Sequence, residues 1–378
     1  MDVEAAPKNT TPPTPPPAPR GSGKGMHWLL VAINCGMLAL GNTAGPLLTR
    51  LYYSKGGHRQ WLSAWLETAG WPLLLIPVAA SYIARRARDP SAPLLLTRPR
   101  ILLAAAGLGL ATGADNFLYA YGLSFLPVST SAILSSTQLA FTVFFAFLIV
   151  RQRLTAFSVN AVALATIGSL VLALHASSDR PAGVSSGQYW LGFFLCLGAA
   201  ALYGLVLPLV ELTYKRAAGG GRVVTYALVV EMQLVMALFA TAFCTVGMVV
   251  NNDFQAIATE ARAFELGEAR YYTVLVWSAI LWQFFFLGNV GVIFCVHTLF
   301  TGILMAACIP VTEVLGVLFL HEKFSTEKGV ALVLSLWGLA SYSYGEYTEA
   351  HADKKKVALS EAQASSPDPG HLPVGHIR

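Results

Sequence analysis

The sequence predicts an all-α membrane protein of about ten transmembrane helices, built as two inverted five-helix repeats. Apolar residues make up 55% of the 378 residues and charged residues only 12%, against about 25% charged in ordinary soluble domains. Ten apolar segments are each long enough for a bilayer crossing, which takes about 20 residues. The second half partly repeats the first at an offset of 170 residues, so that VRQRLT (150–155) aligns with LHEKFS (320–325). Five spans in each half would invert the halves relative to each other, as in secondary transporters.

The domain organisation follows from where the apolar segments begin and end. A single transporter domain is predicted over 27–348, with repeat halves at about 27–176 and 187–348. The tails at 1–26 and 349–378 are predicted to be disordered and cytosolic, since the first is rich in proline and the second mixes charged residues with Ser, Pro and Gly. The predicted spans are 28–48, 61–83, 101–123, 127–150, 155–175, 188–210, 223–250, 273–296, 299–320 and 328–347.

The orientation follows from the basic residues in the loops. Seventeen of the 25 Lys and Arg residues fall on the side of the N-terminus and eight on the other side. Because Lys and Arg are enriched in cytosolic loops, both termini are predicted to be cytosolic. An even number of spans agrees with this orientation.

Several classes of function are disfavoured by the composition and by absent motifs. The five cysteines lie in predicted spans without a CxxC pair and suit apolar packing better than metal binding. The chain has no HExxH, Walker-type or GxSxG motif. We therefore predict no enzyme activity, no metal and no cofactor. The positive charges flank membrane spans, so we assign them to membrane topology and to contact with the lipid bilayer. We predict no nucleic acid partner.

Carboxylates inside predicted spans are the first candidate functional residues. An ionised side chain in the hydrocarbon region is costly unless it faces protein or water, and it marks a functional site by default. Glu67, Asp115, Glu231 and Glu313 lie in the second, third, seventh and ninth spans. Glu313 follows Pro310 by three positions, so bracing of the helix is an equal alternative to a functional role.

Amides and aromatic rings form the second group of candidates. The fourth span carries Ser131, Ser135, Gln138 and Thr142 on one helical face. Such a stripe indicates either interhelical hydrogen bonds or a cavity lining, and we favour the cavity for Gln138. Rings stack on the faces of a flat heterocycle while amides and carboxylates bind its edge. The further candidates for substrate binding are Asn42, Asn116, Tyr119, Gln233, Trp282 and Gln283.

Small residues and prolines carry weaker signals. Gly41 with Gly45, and Gly109 with Gly113, have the GxxxG spacing, for which close helix packing is the stronger interpretation. Prolines inside predicted spans break or bend helices, as rocking carriers often need. Examples are Pro46, Pro72, Pro208 and Pro310.

Five segments of the chain match the sequence pattern of a known family. They are GNTAGPLLTRLYY (41–53), WLETAGWPLLLIP (65–77), ADNFLYAYGLSFLPVSTSAILSSTQLAF (114–141), YALVVEMQLVM (226–236) and IPVTEVLGVLFLHEKFSTEKGVALVLSLWGLASYSYGE (309–346). In these segments the chain resembles the plant purine permeases of the drug/metabolite transporter superfamily. The segments cover most of the membrane domain. The two longest segments are specific, whereas an HEKF-like loop alone recurs across the superfamily.

The resemblance implies ten helices and proton-coupled uptake of purine nucleobases, cytokinins or related heterocycles by alternating access. It points to Glu231 and Gln233 in the seventh span and to Asp115 and Asn116 in the third. Among the carboxylates, Glu231 is the first choice for the coupled proton and Asp115 the second. Gln138 and Asn116 are expected to bind the edge of the base, and Tyr119 or Trp282 to stack on its face.

Three alternatives remain open at this point. The chain could carry an alkaloid-like heterocycle, or it could exchange a nucleotide sugar or phosphate metabolite, although no basic residue lies near the centre of a span. A membrane receptor or scaffold without transport could share the fold. The plasma membrane is the expected location, with the endoplasmic reticulum or vacuolar membrane as alternatives.

Overall fold

The computed structural model describes residues 22–150, 156–174, 180–181, 183–217, 225–295, 301, 304–305, 308–321 and 324–364. These ranges form helices and short connections, with no strand among them. A 3₁₀ turn at Trp71–Leu74 separates the second helix from the third. The α-helices are α1 Ser22–Ser54, α2 Gln60–Ala69, α3 Leu75–Arg88, α4 Pro99–Phe125, α5 Val128–Ser136, α6 Gln138–Val150, α7 Ala156–Leu174, α8 Ser186–Ala217, α9 Tyr226–Val250, α10 Asp253–Ala263, α11 Glu268–Cys295, α12 Ile309–Leu320 and α13 Thr326–Ala364.

An all-α membrane architecture is confirmed, while the count of ten spans stays a prediction. Seven helical segments in the described ranges are long and apolar enough to cross a membrane, and they coincide with predicted spans one to four and six to eight. Shorter apolar helices at Val159–Gly168 and Ile309–Leu320 lie in the fifth and ninth predicted spans, parts of which fall outside the described residues. The tenth predicted span lies within α13, whose SYSYG stretch (341–345) makes it less apolar than the other seven.

Both ends of the helical domain extend beyond the predicted boundaries. α1 begins at Ser22, inside the predicted tail 1–26, because the proline run stops at Pro19 and no proline follows before Pro46. α13 continues to Ala364, although disorder is predicted from residue 349. Residues 349–364 are rich in Ala, Glu and Lys, which are strong helix formers, and the next proline is Pro367. The rest of both tails, 1–21 and 365–378, lies outside the described residues, as do Arg153 and Lys323 of the repeated loop.

The packing of the helices supports the predicted repeat. If the two predicted halves are repeats, each span has a counterpart five spans later. The interface between α4 and α8 then corresponds to the interface between α11 and α1, and both are among the most extensive. The α7–α13 and α2–α9 pairs each join a span to its own counterpart. Helices α2, α4, α8, α9 and α11 therefore surround the centre of the bundle.

Glycines set the closest approaches between these helices, as the GxxxG spacing predicts. A Cβ atom on Gly41 of α1 would lie 2.4 Å from the Phe285 backbone nitrogen of α11. A Cβ atom on Gly109 of α4 would lie 2.4 Å from the Met236 carbonyl oxygen of α9. Such distances leave no room for a side chain. The inner helices thus touch backbone to backbone.

A polar cluster joins the α1–α2 connection to α10 and α11 at one end of the bundle. Glu260 accepts hydrogen bonds from Tyr52 and, at 3.0 Å, from the Tyr271 hydroxyl. Arg59 lies 3.2 Å from Asp253 and 3.8 Å from Glu260. Burial raises the pKa of Asp253, an effect that the hydrogen bond from Asn251 and the charge of Arg59 oppose. Together these contacts hold the α1–α2 connection against α10 and α11 at this end of the bundle.

We predict that Gly41→Ala lowers the melting temperature of the detergent-purified protein by several degrees. The added methyl group must push α1 away from α11, and overpacking of this kind costs roughly 1–3 kcal/mol. The matched control is Gly36→Ala in the same helix, where an added Cβ has no neighbour within 4 Å. Its melting temperature should stay unchanged or rise slightly, since Ala is the better helix former. Equal losses in both variants would contradict the glycine contact.

Candidate functional site

The second predicted span is interrupted in the middle. α2 ends at Ala69, a 3₁₀ turn follows, and α3 continues from Leu75. Pro72 lacks the backbone N–H that a continuous helix would use. Gly70 packs so tightly on α11 that a Cβ atom there would lie 2.5 Å from the Ala279 carbonyl oxygen. The backbone stays in the right-handed helical region at Gly70, Leu74 and Leu75, so the segment is one span with a 3₁₀ turn inside it.

Two buried carboxylates lie beside this break. Glu67, in the last turn of α2, is 1% exposed, and Asp115 of α4 is 7% exposed. Their charges are within electrostatic reach of each other. Glu67 Oε1 and Asp115 Oδ1 have no hydrogen-bond partner among the described residues, and neither carboxylate belongs to an ion pair within that set. Two uncompensated negative charges at this spacing are costly, so the site is suited to binding a proton.

Amide side chains with unused hydrogen-bonding capacity share the centre with these carboxylates. Asn116 is 2% exposed and its Nδ2 has no partner in the described ranges. Gln283 of α11 is 1% exposed, and neither its Nε2 nor its Oε1 is satisfied within the same ranges. Asn289, also on α11, leaves its Oδ1 without a donor there. Buried polar atoms are normally paired, so this concentration marks a site for a ligand or for water.

A cavity with about 40 Å³ of water-accessible space adjoins this polar centre. This space holds only a few water molecules, so a larger ligand requires the inner helices to separate. Its polar lining comes from the inner helices, and Phe286 contributes an aromatic ring. The polar lining residues are Thr68, Thr112, Tyr203, Gln233 and Asn289. The apolar lining residues are Val206, Leu207, Val210, Met236, Ala237, Val290 and Ile293.

The structure places Glu231, the first candidate for the coupled proton, in an ion pair with Arg85. Its Oε1 lies 3.2 Å from Arg85, and its Oε2 accepts hydrogen bonds from the Leu96 backbone N–H at 2.7 Å and the Thr97 hydroxyl at 3.2 Å. Arg85 also donates to the Pro93 carbonyl. These contacts join α9 to α3 and to the segment that precedes α4. Glu231 therefore anchors the α3–α4 connection.

The remaining candidates divide between the cavity and the surrounding packing. Gln233 lines the cavity. Trp282 donates its indole N–H to the Thr49 hydroxyl at 3.2 Å, and its ring meets that of Tyr119 edge to face. Asn42 donates to the Met305 carbonyl at 3.1 Å.

Two candidates lie on other helices. Gln138 is half-buried at the point where Thr137 separates α5 from α6. Glu313, in α12, is 2% exposed. Neither lines the cavity that the described residues form.

Of the thirteen residues that line the cavity, only Gln233 was a candidate in the sequence. Asn289 lies well inside the eighth predicted span, as the candidate Gln283 does, and an amide in this central position was the signal that could have identified it. Tyr203 lies five residues before Pro208 in a similarly central position. Phe286 is one of three consecutive phenylalanines (284–286), so its orientation towards the cavity was not predictable from the sequence.

Comparisons with known proteins agree with this architecture. A profile of the family described as purine nucleobase transmembrane transport matches residues 29–352. The chain belongs to this family. It is similar to Purine permease 3 of Arabidopsis thaliana, with 47% identity over 337 residues that cover 88% of this chain and 95% of that protein. Purine permease 2 of the same plant is 46% identical, with 85% and 93% covered, and Probable purine permease 5 is 38% identical, with 84% and 86% covered.

We predict that Glu231→Gln in this purine permease family member exposes the α3–α4 connection to protease. The substitution leaves the partly buried Arg85 without its counter-charge, so local opening should become on the order of tenfold more frequent. Limited trypsin digestion of the purified protein measures this as faster cleavage at Arg85, Arg86 and Arg88. Glu211→Gln is the control, because it removes an exposed ion pair with Lys215. Unchanged cleavage in Glu231→Gln would contradict the anchoring role.

Proposed function

We propose that this chain is a secondary transporter that carries purine nucleobases and cytokinins across a membrane together with protons. The cavity carries this proposal, because it combines amides, hydroxyls and an aromatic ring beside two buried carboxylates that lack cations among the described residues. Membership of the purine nucleobase transport family supports the substrate class. The relatives' names also support transport as the activity.

The lining of the cavity suits a flat nitrogen heterocycle. The edge of a purine presents both hydrogen-bond donors and acceptors, and the amides of Gln233 and Asn289 offer both kinds of group. Phe286 supplies a ring for stacking. A cytokinin adds an apolar substituent to the amino group of adenine, and the aliphatic part of the wall, which includes Leu207 and Ile293, would surround it.

The coupled proton binds at the Asp115 and Glu67 pair in this mechanism. With one proton on the pair, a single negative charge remains, whereas full ionisation would place two like charges in a buried site. Glu231 is already neutralised by Arg85. We therefore assign proton coupling to Asp115 and Glu67 and a structural role to Glu231.

In alternating access, a carrier is open at one end of the bundle and closed at the other, and the two ends of this bundle differ in this way. Val210 and Ile293, near the C-terminal ends of α8 and α11, line the cavity together with Gln233, near the N-terminal end of α9. These three ends lie on the side that the charge distribution assigns to the cytosol. The opposite end is closed by the cluster around Arg59. This conformation thus corresponds to the state that releases substrate into the cytosol.

The alternative functions are less well supported. A nucleotide sugar or phosphate metabolite needs cationic side chains, and no Lys or Arg lines the described cavity. An alkaloid-like heterocycle fits the same lining and differs only in the substrate. A receptor or scaffold would not need two uncompensated carboxylates beside a cavity. For the location we propose the plasma membrane, with both termini in the cytosol, since uptake driven by protons uses the gradient across that membrane.

Uptake of radiolabelled adenine tests this proposal in yeast that lacks its own purine importer. We expect saturable uptake that rises at acidic external pH and is inhibited by excess trans-zeatin, because both ligands present an adenine ring. Surface labelling establishes that the protein has reached the plasma membrane. No uptake by protein at the surface would reject adenine as a substrate. Uptake without inhibition by zeatin would reject the cytokinin part.

The assignment of the proton site predicts different pH profiles for two isosteric substitutions. Asp115→Asn cannot release a proton, so the remaining uptake should lose its stimulation at acidic pH and fall by about tenfold or more. Glu231→Gln should reduce uptake through lower stability while keeping the wild-type pH profile. The measurement is initial uptake rate against external pH, normalised to the amount of protein at the surface. The reverse pattern would return proton coupling to Glu231.

A further inference from the structure

One pair of side chains in the cavity wall has an orientation that bears on substrate choice. Asn289 of α11 donates through Nδ2 to the Tyr203 hydroxyl oxygen of α8 at 3.0 Å, and both residues line the cavity. Asn289 is 5% exposed, so its amide is nine-tenths buried. The pair connects two inner helices, both within the second predicted repeat half.

Only the nitrogen of the Asn289 amide has a hydrogen-bond partner among the described residues. A primary amide offers two protons on nitrogen and two lone pairs on oxygen. The Nδ2 group has Tyr203 as its partner, whereas Oδ1 receives no hydrogen bond from the described residues. A buried acceptor without a donor costs about 1–3 kcal/mol. A ligand that brings an N–H group to Oδ1 would remove this cost.

The hydrogen bond to Tyr203 sets the orientation of the amide. Nδ2 donates to the hydroxyl oxygen of Tyr203, so Oδ1 is the atom that remains for a ligand.

We propose that Asn289, positioned by Tyr203, selects purines with a hydrogen-bond donor at the 6-position over purines with a carbonyl oxygen there. This proposal rests on the transport function proposed above and adds a specificity determinant to it. The amino group of adenine donates to Oδ1, and an N6-substituted adenine keeps one N–H for the same contact. The 6-oxo group of hypoxanthine would place an acceptor against an acceptor.

The other amide of the lining does not impose the same choice. Gln233 of α9 lines the cavity and makes no hydrogen bond to the side chains or backbone that the structure describes. It is free to turn either its oxygen or its nitrogen towards a ligand. Discrimination between the two classes of purine is therefore assigned to Asn289, at about tenfold or more.

The test compares uptake of labelled adenine and labelled hypoxanthine by the full-length protein in yeast. Wild-type protein should prefer adenine by about tenfold in the ratio of uptake rate to half-saturation concentration. Tyr203→Phe keeps the ring and removes the hydroxyl, which frees the amide to rotate. The preference should then fall at least about fivefold, mainly through better use of hypoxanthine. Tyr214→Phe is the matched control, since it removes a hydroxyl from the same helix that does not line the cavity, and it should keep the wild-type ratio.

The possible outcomes separate this inference from the proposed function. Wild-type protein at the surface that imports neither purine would reject both. Import of both purines at equal efficiency, or a Tyr203→Phe ratio equal to that of wild type, would reject the inference alone. If Tyr203→Phe does not reach the membrane, Asn289→Ala takes its place, because loss of the acceptor should also lower the adenine preference. A purely structural role for Asn289 would lower both uptake rates and leave their ratio unchanged.

Discussion

Backbone contact between the inner helices is the constraint on which the rest of the structure depends. In a bilayer the hydrophobic effect does not drive helices together, so packing at small residues has to hold the bundle. Gly41 and Gly109 bring α1 against α11 and α4 against α9 with no side chain between them. Because these interfaces leave no slack, α4 and α11 present Asp115 and Gln283 to the centre from fixed positions. A buried site with few satisfied hydrogen bonds persists only in such a rigid frame.

The interruption of the second span turns this frame into a site. Pro72 lacks the backbone N–H that an α-helix would use, and the hydrogen bonds tighten into a 3₁₀ turn there. Glu67 and Thr68 lie in the turn before the break, and Gly70 lets that turn contact α11 directly. The tight packing at Gly70 and the missing N–H at Pro72 act together here. α1 and α8 continue through Pro46 and Pro208, so proline alone does not end these helices.

The sequence predicted the helical membrane fold and the close glycine contacts because both depend on local composition and spacing. It also placed Asp115, Asn116 and Gln283 inside the membrane, and the structure finds all three buried and incompletely hydrogen-bonded. It could not show that Arg85 reaches Glu231, since the two residues lie 146 positions apart and meet only through the tertiary fold. For the same reason the sequence did not single out the partnership of Tyr203 and Asn289. Hydropathy indicates that a charged group is buried, whereas the partner that balances its charge is set by contacts between residues far apart in the sequence.

The hydrogen bond from Asn289 to Tyr203 joins α11 to α8 in the wall of the cavity. A hydrogen bond between two helices depends on their separation, so a movement that widens this wall must stretch or break the contact. The contact therefore ties the arrangement of the two helices to the orientation of the Asn289 amide, whose Oδ1 has no donor among the described residues.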